Sequence, residues 1–154
     1  MPKLHTIDPS WIDYNGHLNV GYYGVLFDRA LDDAFEDIGL GAAHRAAGGH
    51  TFFVVESHMR YLAEVAADRQ LAFSTRILAL DAKRVHVFME MRDAIDGTLN
   101  ATSEQMLVSV SLATRKVEAM TPEESGLIEQ AMRRTADEPL PFHAGRKIAM
   151  PAPR

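Results

Sequence analysis

The chain contains no cysteine, which removes disulfides, thiolate metal sites and a cysteine nucleophile at once. It also lacks a surplus of positive charge. With 16 Lys and Arg against 21 Asp and Glu, the formal net charge is -5, so there is no electrostatic footprint for nucleic acid, although a local basic patch can still hold a phosphorylated small molecule. No apolar run approaches the roughly 20 residues of a membrane-spanning helix. Met1-Pro2-Lys3 leads into a polar stretch, not the apolar core of a secretory signal. A cytoplasmic protein with neither nucleic acid nor membrane as partner is the expectation. Also absent are a G-x-S-x-G elbow, a P-loop and an H-E-x-x-H motif, and Gly39-Leu40-Gly41 follows a helix where a dinucleotide loop would open one. Among the seven histidines, the short-range pairings Asp13 with His17 and His44 with His50 lack a third ligand. No metal and no cofactor is expected.

What is present is one domain's worth of ordinary globular sequence. The 154 residues, 47% hydrophobic and 24% charged, suffice for one real core and not for two. We expect a globular unit over residues 1–136. Residues 137–154, with prolines at 139, 141, 151 and 153 and the basic Arg146-Lys147, read as an extended, partly mobile extension.

Two periodicities divide the unit. Between Asn19 and Ile38 the apolar Val20, Tyr23, Leu26, Phe27, Ala30, Leu31, Ala34 and Phe35 recur at helical spacing against acidic residues, with Asn19 as N-cap and Gly39 as stop. From there the period is two. His50 to Leu62, Leu71 to Leu80, Arg84 to Ile95 and Thr98 to Leu112 read as strands, Asp96-Gly97 signals a two-residue hairpin turn, and a parity slip near Glu104 predicts a β-bulge. In the first long strand Glu56, His58 and Arg60 share one parity, Phe53, Val55, Met59 and Tyr61 the other. Thr121-Pro122-Glu123-Glu124 is a capping box that starts a short helix running to about Thr135. The fold class is α+β: one long helix and a short C-terminal one, with an antiparallel sheet of five to six strands.

The segment that carries chemistry is Asp13-Tyr14-Asn15-Gly16-His17-Leu18-Asn19, where a carboxylate, an amide and an imidazole alternate just before the long helix. A helix N-terminus offers unpaired N–H groups and a positive dipole end, so it can polarise a carbonyl beside residues that activate water. The same residue types also make turns, and Asp13 to Asn15 fits that reading too.

With Trp11-Ile12 before it and Tyr22-Tyr23 after it, this segment resembles the hotdog-fold thioesterases, nearest the single-domain 4-hydroxybenzoyl-CoA thioesterase-like group. The resemblance covers roughly residues 4 to 120 and implies a sheet curled around the long helix. The Asp-x-Asn-x-His pattern is also similar to that of plant acyl-carrier-protein thioesterases, in which a glutamate completes the set; Glu64, in Tyr61-Leu62-Ala63-Glu64, stands at the matching place. Two departures, Val65 where they carry cysteine and one hotdog domain where they have two, put the fatty-acyl substrate in doubt and not the hydrolysis. The resemblance implies hydrolysis of an acyl-CoA. Asp13 or Glu64 would be general base on a water or, as an alternative, a nucleophile; Asn15 would position water or the carbonyl, His17 would orient a carboxylate, and N–H groups near Val20 and Gly21 would meet the oxyanion.

Coenzyme A carries phosphates, so cations are expected near the groove mouth, and Lys83, Arg84 with His86, and Arg115 with Lys116 are the available clusters. In similar enzymes such residues often come from a neighbouring subunit, which implies a homodimer or a dimer-based homotetramer. Glu104, beside the expected bulge, is a further substrate-site candidate. Trp11-Ile12-Asp13-Tyr14-Asn15-Gly16-His17-Leu18, Lys83-Arg84-Val85-His86-Val87 and Ser103-Glu104-Gln105-Met106-Leu107 are similar to thioesterases of carnitine breakdown that act on betainyl-CoA. Aromatic faces suit a quaternary ammonium, and Trp11, Tyr14, Tyr22, Tyr23 and Phe27 are candidates to supply them. Two rivals remain: a hydratase on the same fold, which spaces its Asp and His one residue further apart, and a domain that binds acyl thioesters without cleaving them.

Overall fold

The computed structural model describes residues 3–150. Helix α1, Val20–Asp37, starts where Asn19 Oδ1 accepts from the Gly21 N–H at 3.0 Å and buries Tyr23, Leu26, Phe27, Ala30, Leu31 and Phe35 along one face. Each such apolar side chain is worth about 1.5–3 kcal/mol on full burial, so packing, not propensity, holds the helix. Its end is a Schellman closure. The Gly39 N–H donates to Glu36 O at 3.0 Å and the Leu40 N–H to Phe35 O at 2.8 Å, which requires the left-handed φ of +85° that Gly39 adopts.

Five strands form one antiparallel sheet against this helix: β1 (Leu4–Thr6), β2 (Thr51–Tyr61), β3 (Gln70–Leu80), β4 (Arg84–Asp93) and β5 (Leu99–Val110), in the order β1-β3-β4-β5-β2. The two central strands, β4 and β5, point Val85, Val87, Met89, Met91, Ala101 and Leu107 into the core with the helix residues. This is the hotdog arrangement. A one-turn helix α2 (Ala42–Ala46), which the periodicity does not reveal, joins α1 to β2, and α3 (Pro122–Arg133) opens on the expected capping box.

Three local expectations shift. The β4–β5 connection is not a two-residue turn: the Asp93 N–H donates to Thr98 O and the Gly97 N–H to Asp93 O, leaving Ala94 to Gly97 as the loop. Asp93 decides this, because its buried carboxylate accepts from the Ile95 N–H and pairs with Arg69 at 3.0 Å. The bulge in β5 falls at Asn100, where Met91 faces Ala101 but Arg92 faces Leu99, and not near Glu104. A second bulge, at Val55, breaks the parity of β2, so that Phe52 packs inward with Met59 while Glu56, His58 and Arg60 face the outer side.

Residues 137–150 cross that outer face. Arg76 donates to the carbonyls of Thr135, Glu138 and Pro139, His143 contacts Arg60, and the Gly145 N–H donates to Glu104 Oε2 at 2.7 Å. The extension is irregular, as expected, but tied down at several points.

Candidate functional site

The Asp13 segment is a tight turn stapled at its base. Ile12 bridges Leu18, the Asp13 N–H donates to His17 O and the Gly16 N–H to Asp13 O, both at 3.0 Å, with Gly16 at a φ of +81° that favours glycine. Asp13 Oδ1 accepts from the Asn15 N–H at 2.8 Å, so one carboxylate oxygen serves the turn and the other remains open to chemistry. The turn is fixed to the rest of the fold by the Leu18 N–H, which donates to Val65 O at 2.9 Å, and by a bridge from His17 to Ala66.

That docking brings Glu64 in. His17 Nε2 lies 3.3 Å from Glu64 Oε2, with the glutamate side chain 77% exposed. An imidazole, two carboxylates and a helix N-terminus therefore share one open face. At that terminus the Gly21 N–H is occupied by Asn19 Oδ1, and the Tyr22 N–H by Asn19 O at 3.0 Å. Among the described residues the Val20 N–H has no acceptor, whereas the Gly21 N–H is already taken by the cap.

The aromatic candidates separate by environment. Trp11 stacks on Tyr22, centroids 5.0 Å apart, and carries the Arg29 guanidinium 5.0 Å from its centroid, so it braces the helix start. Phe27 is fully buried and Tyr14, at the tip of the turn, is 97% exposed. Tyr23 is buried and meets Tyr61 edge-on at 5.0 Å. Burial pushes the Tyr23 phenol up, and the nearby Tyr61, Glu64 and Asp13 add to the shift. Tyr61 is half exposed at the end of β2 and packs on Tyr23; its place three residues before Glu64 is the sequence signal that marks it.

Other candidates lie elsewhere in this chain. Arg84 is locked to Asp81, Nη2 to Oδ2 at 2.6 Å, and that bond with backbone N–H groups holds the Asp81 carboxyl down at about 2. Arg84 faces Val108 on β5, and Val110 faces Thr51, whereas Ala101 faces Tyr61. Lys83, Arg84 and the Arg115 turn thus sit toward the Thr51 end of β2, with Arg84 roughly 23 Å of strand from the Tyr61 end. Glu104 faces outward, its Oε1 2.8 Å from His86 Nε2 and its Oε2 on the Gly145 N–H, as an anchor for the C-terminal segment. It does not join the Asp13 face, because the bulge expected to re-aim it lies at Asn100.

A second histidine–glutamate cluster is buried. The Glu124 side chain is 1% exposed; its Oε1 is 2.7 Å from His44 Nε2 and 3.0 Å from the His50 N, and its Oε2 is 2.9 Å from His50 Nδ1 and 2.8 Å from the Thr121 N. Burial alone would raise the Glu124 carboxyl, but these bonds outweigh it and hold it down at about 2. Among the described residues no group of side chains is arranged to hold a metal ion. No helix there is long and apolar enough to cross a membrane.

Comparison with known proteins points one way. A family model described as the thioesterase-like superfamily matches residues 7–134. A betainyl-CoA thioesterase of Pseudomonas aeruginosa is 34% identical over 95% of this chain and 92% of its own length. An Agrobacterium fabrum L-carnitine dehydrogenase/betainyl-CoA thioesterase is 37% identical, and the match spans 95% of this chain but 30% of that protein. A Staphylococcus aureus protein solved in complex with CoA superposes with a TM-score of 0.87 at 28% identity, over 97% of this chain and 94% of that one.

Proposed function

From the premise that the chain belongs to the thioesterase-like superfamily, we propose that it hydrolyses an acyl-CoA thioester to the free acid and CoA, with betainyl-CoA as preferred substrate. The observation that carries the reading is the pairing of His17 Nε2 with Glu64 Oε2 at 3.3 Å on the face where the Val20 N–H opens the long helix. Water attack on a thioester needs a base, a group that orients it, and a donor for the growing oxyanion. Glu64 is assigned as base, His17 as the group that orients it, and the Val20 N–H as the donor. Asn15 positions the carbonyl or the water. Asp13, one oxygen of which is free of the turn, is the second carboxylate on this face.

The betainyl preference rests on the relatives and on the half-exposed Tyr61, three residues before Glu64 in the chain, since an aromatic face together with a carboxylate suits a trimethylammonium group. CoA binding is supported by the superposable Staphylococcus aureus complex. In the proposed assembly two copies pair along β2, an 11-residue edge strand with Phe53, Val54 and Val55 exposed. Such an edge invites a partner. Antiparallel pairing sets the Thr51 end of one copy beside the Tyr61 end of the other, which carries Lys83, Arg84, Arg115 and Lys116 toward the neighbour's Glu64. A dimer thereby supplies the phosphate contacts that a single chain keeps at the far end of β2 from its own site.

Thiol release measured colorimetrically over betainyl, short aliphatic and aromatic acyl-CoAs tests the reading. Fastest release from betainyl-CoA is expected. Binding without release would overturn hydrolysis in favour of a sensor, and water addition to crotonyl-CoA would favour a hydratase.

A further inference from the structure

The turn that carries Glu64 is held by one residue of β5. Asn100 is the extra residue at the β5 bulge, and its carbonyl, on the β2 side of the strand, accepts from the Leu62 N–H at 2.8 Å and the Ala63 N–H at 3.1 Å. Its side-chain Nδ2 donates to the Glu64 carbonyl at 3.1 Å. Three bonds from one residue therefore span the three consecutive residues Leu62, Ala63 and Glu64, where β2 ends and pairing with β5 stops.

Two features set Asn100 apart from an ordinary strand residue. It is 3% exposed, and its Oδ1 is buried with no partner among the described residues. A strand residue selected for packing alone would be apolar here, since a buried unpaired acceptor weakens the fold. The bulge, likewise, gives up a ladder position, and bulges recur beside sites where they re-aim the chain. Here what is re-aimed is the backbone that presents Glu64 to His17.

We propose that Asn100 is a positioning residue for the thioesterase reaction, acting by fixing the Leu62 to Glu64 turn so that the Glu64 carboxylate meets His17. The proposal rests on Glu64 being the base. Without the amide clamp the Glu64 carbonyl loses its donor, and the exposed side chain samples orientations away from His17. The acyl-CoA still binds, because Asn100 touches no surface that a substrate reaches.

A double-mutant cycle separates this from a merely structural role. Asn100→Leu and the isosteric Asn100→Asp are each made in the native and the Glu64→Gln background, and kcat, KM and the thermal midpoint are measured with betainyl-CoA or the best substrate of the panel. In the native background kcat falls by about tenfold or more while KM stays within about twofold, as for an interaction realised only in the transition state. In the Glu64→Gln background the same substitutions change kcat by less than about twofold. An equal fold-loss in both backgrounds, or full kcat in a folded Asn100 variant, overturns the proposal. Asn100→Asp covers the case in which Asn100→Leu does not fold. Glu64→Gln with native kcat refutes instead the assignment of Glu64 as base, and the proposal with it.

Discussion

Histidine meets glutamate both around Glu124 and around Glu64, and the two sites differ in everything else. Around Glu124, two imidazoles and two backbone N–H groups converge on a carboxylate that solvent barely reaches, and the carboxyl is driven down to about 2. Around Glu64, a single imidazole lies 3.3 Å from a carboxylate that is mostly exposed. The first has every oxygen satisfied, so it ties α2, the start of β2 and α3 together and has nothing left for a substrate. Gly49 shows how tight that packing is, since a Cβ there would lie 2.1 Å from His44 Nε2. The second has spare lone pairs, an open approach and a helix N-terminus beside it. Strong perturbation marks the structural cluster here, and incompleteness marks the chemical one.

The comparison breaks most visibly if the wrong glutamate controls turnover. Glu64→Gln should lower kcat by about 10²–10⁴-fold, the usual range for removing a general base, with the thermal midpoint unchanged; steady-state thiol release and a melting curve check both. Glu124→Leu should do the opposite. Removing one partner from a buried hydrogen-bonded cluster costs about 3–5 kcal/mol, seen by denaturant unfolding, while kcat of the protein that remains folded stays native.

Acid should sharpen the contrast. The Glu124 carboxyl titrates at about 2 when folded against an ordinary 4.5, so its contribution is complete above 4.5 and is lost as pH falls toward 2. His50 runs the other way: burial opposes its charge, but the bonds to Glu124 and Glu118 prevail and raise it above 6.5. Its share is complete below 6.5 and is lost as pH rises through the folded value. The cluster therefore stabilises most between about 4.5 and 6.5, and Glu124→Leu should flatten a plot of thermal midpoint against pH in the acid range.

Smaller effects come next. Asp13→Asn keeps an Oδ1 for the Asn15 N–H, so the turn survives and kcat should fall by about ten- to a hundredfold if the free oxygen supports His17; native kcat would return Asp13 to turn duty alone. Arg84→Ala should raise KM about two- to fivefold, the size of one exposed charge contact, with little change in kcat. Mixing Arg84→Ala chains with Glu64→Gln chains would show whether the contact crosses between copies.

Much of the fold was legible because its elements are strongly periodic or carry local punctuation. Asn19, Gly39 and the Thr121 to Glu124 box mark helix ends through their own backbone chemistry. Alternation in β4 exposed the core residues because both neighbours of that strand are paired. Single-residue offsets were less legible. The bulges at Val55 and Asn100 depend on the partner strand's register, and Asp93 lengthened a turn that Asp96-Gly97 alone would close in two residues. In the candidate site, Asp13, Asn15 and His17 were readable as a contiguous motif. Glu64 came from its place in a family pattern, and the clamp at Asn100, 36 residues further on, left no local trace.

The amino-acid sequence by itself determined the helix and its caps, the strands and the inward face of β4, and the polar turn before Val20, because these follow from short-range spacing and each residue's own bonding capacity. Only the tertiary structure decided which glutamate is open and which is buried. That choice depends on desolvation and on donors contributed by distant segments: Thr121, His44 and His50 close around Glu124, whereas Glu64 is presented on a turn with the single imidazole of His17 beside it. Two glutamates with the same side chain thus meet opposite environments, one closed by donors and one open to solvent, from what the fold places around them.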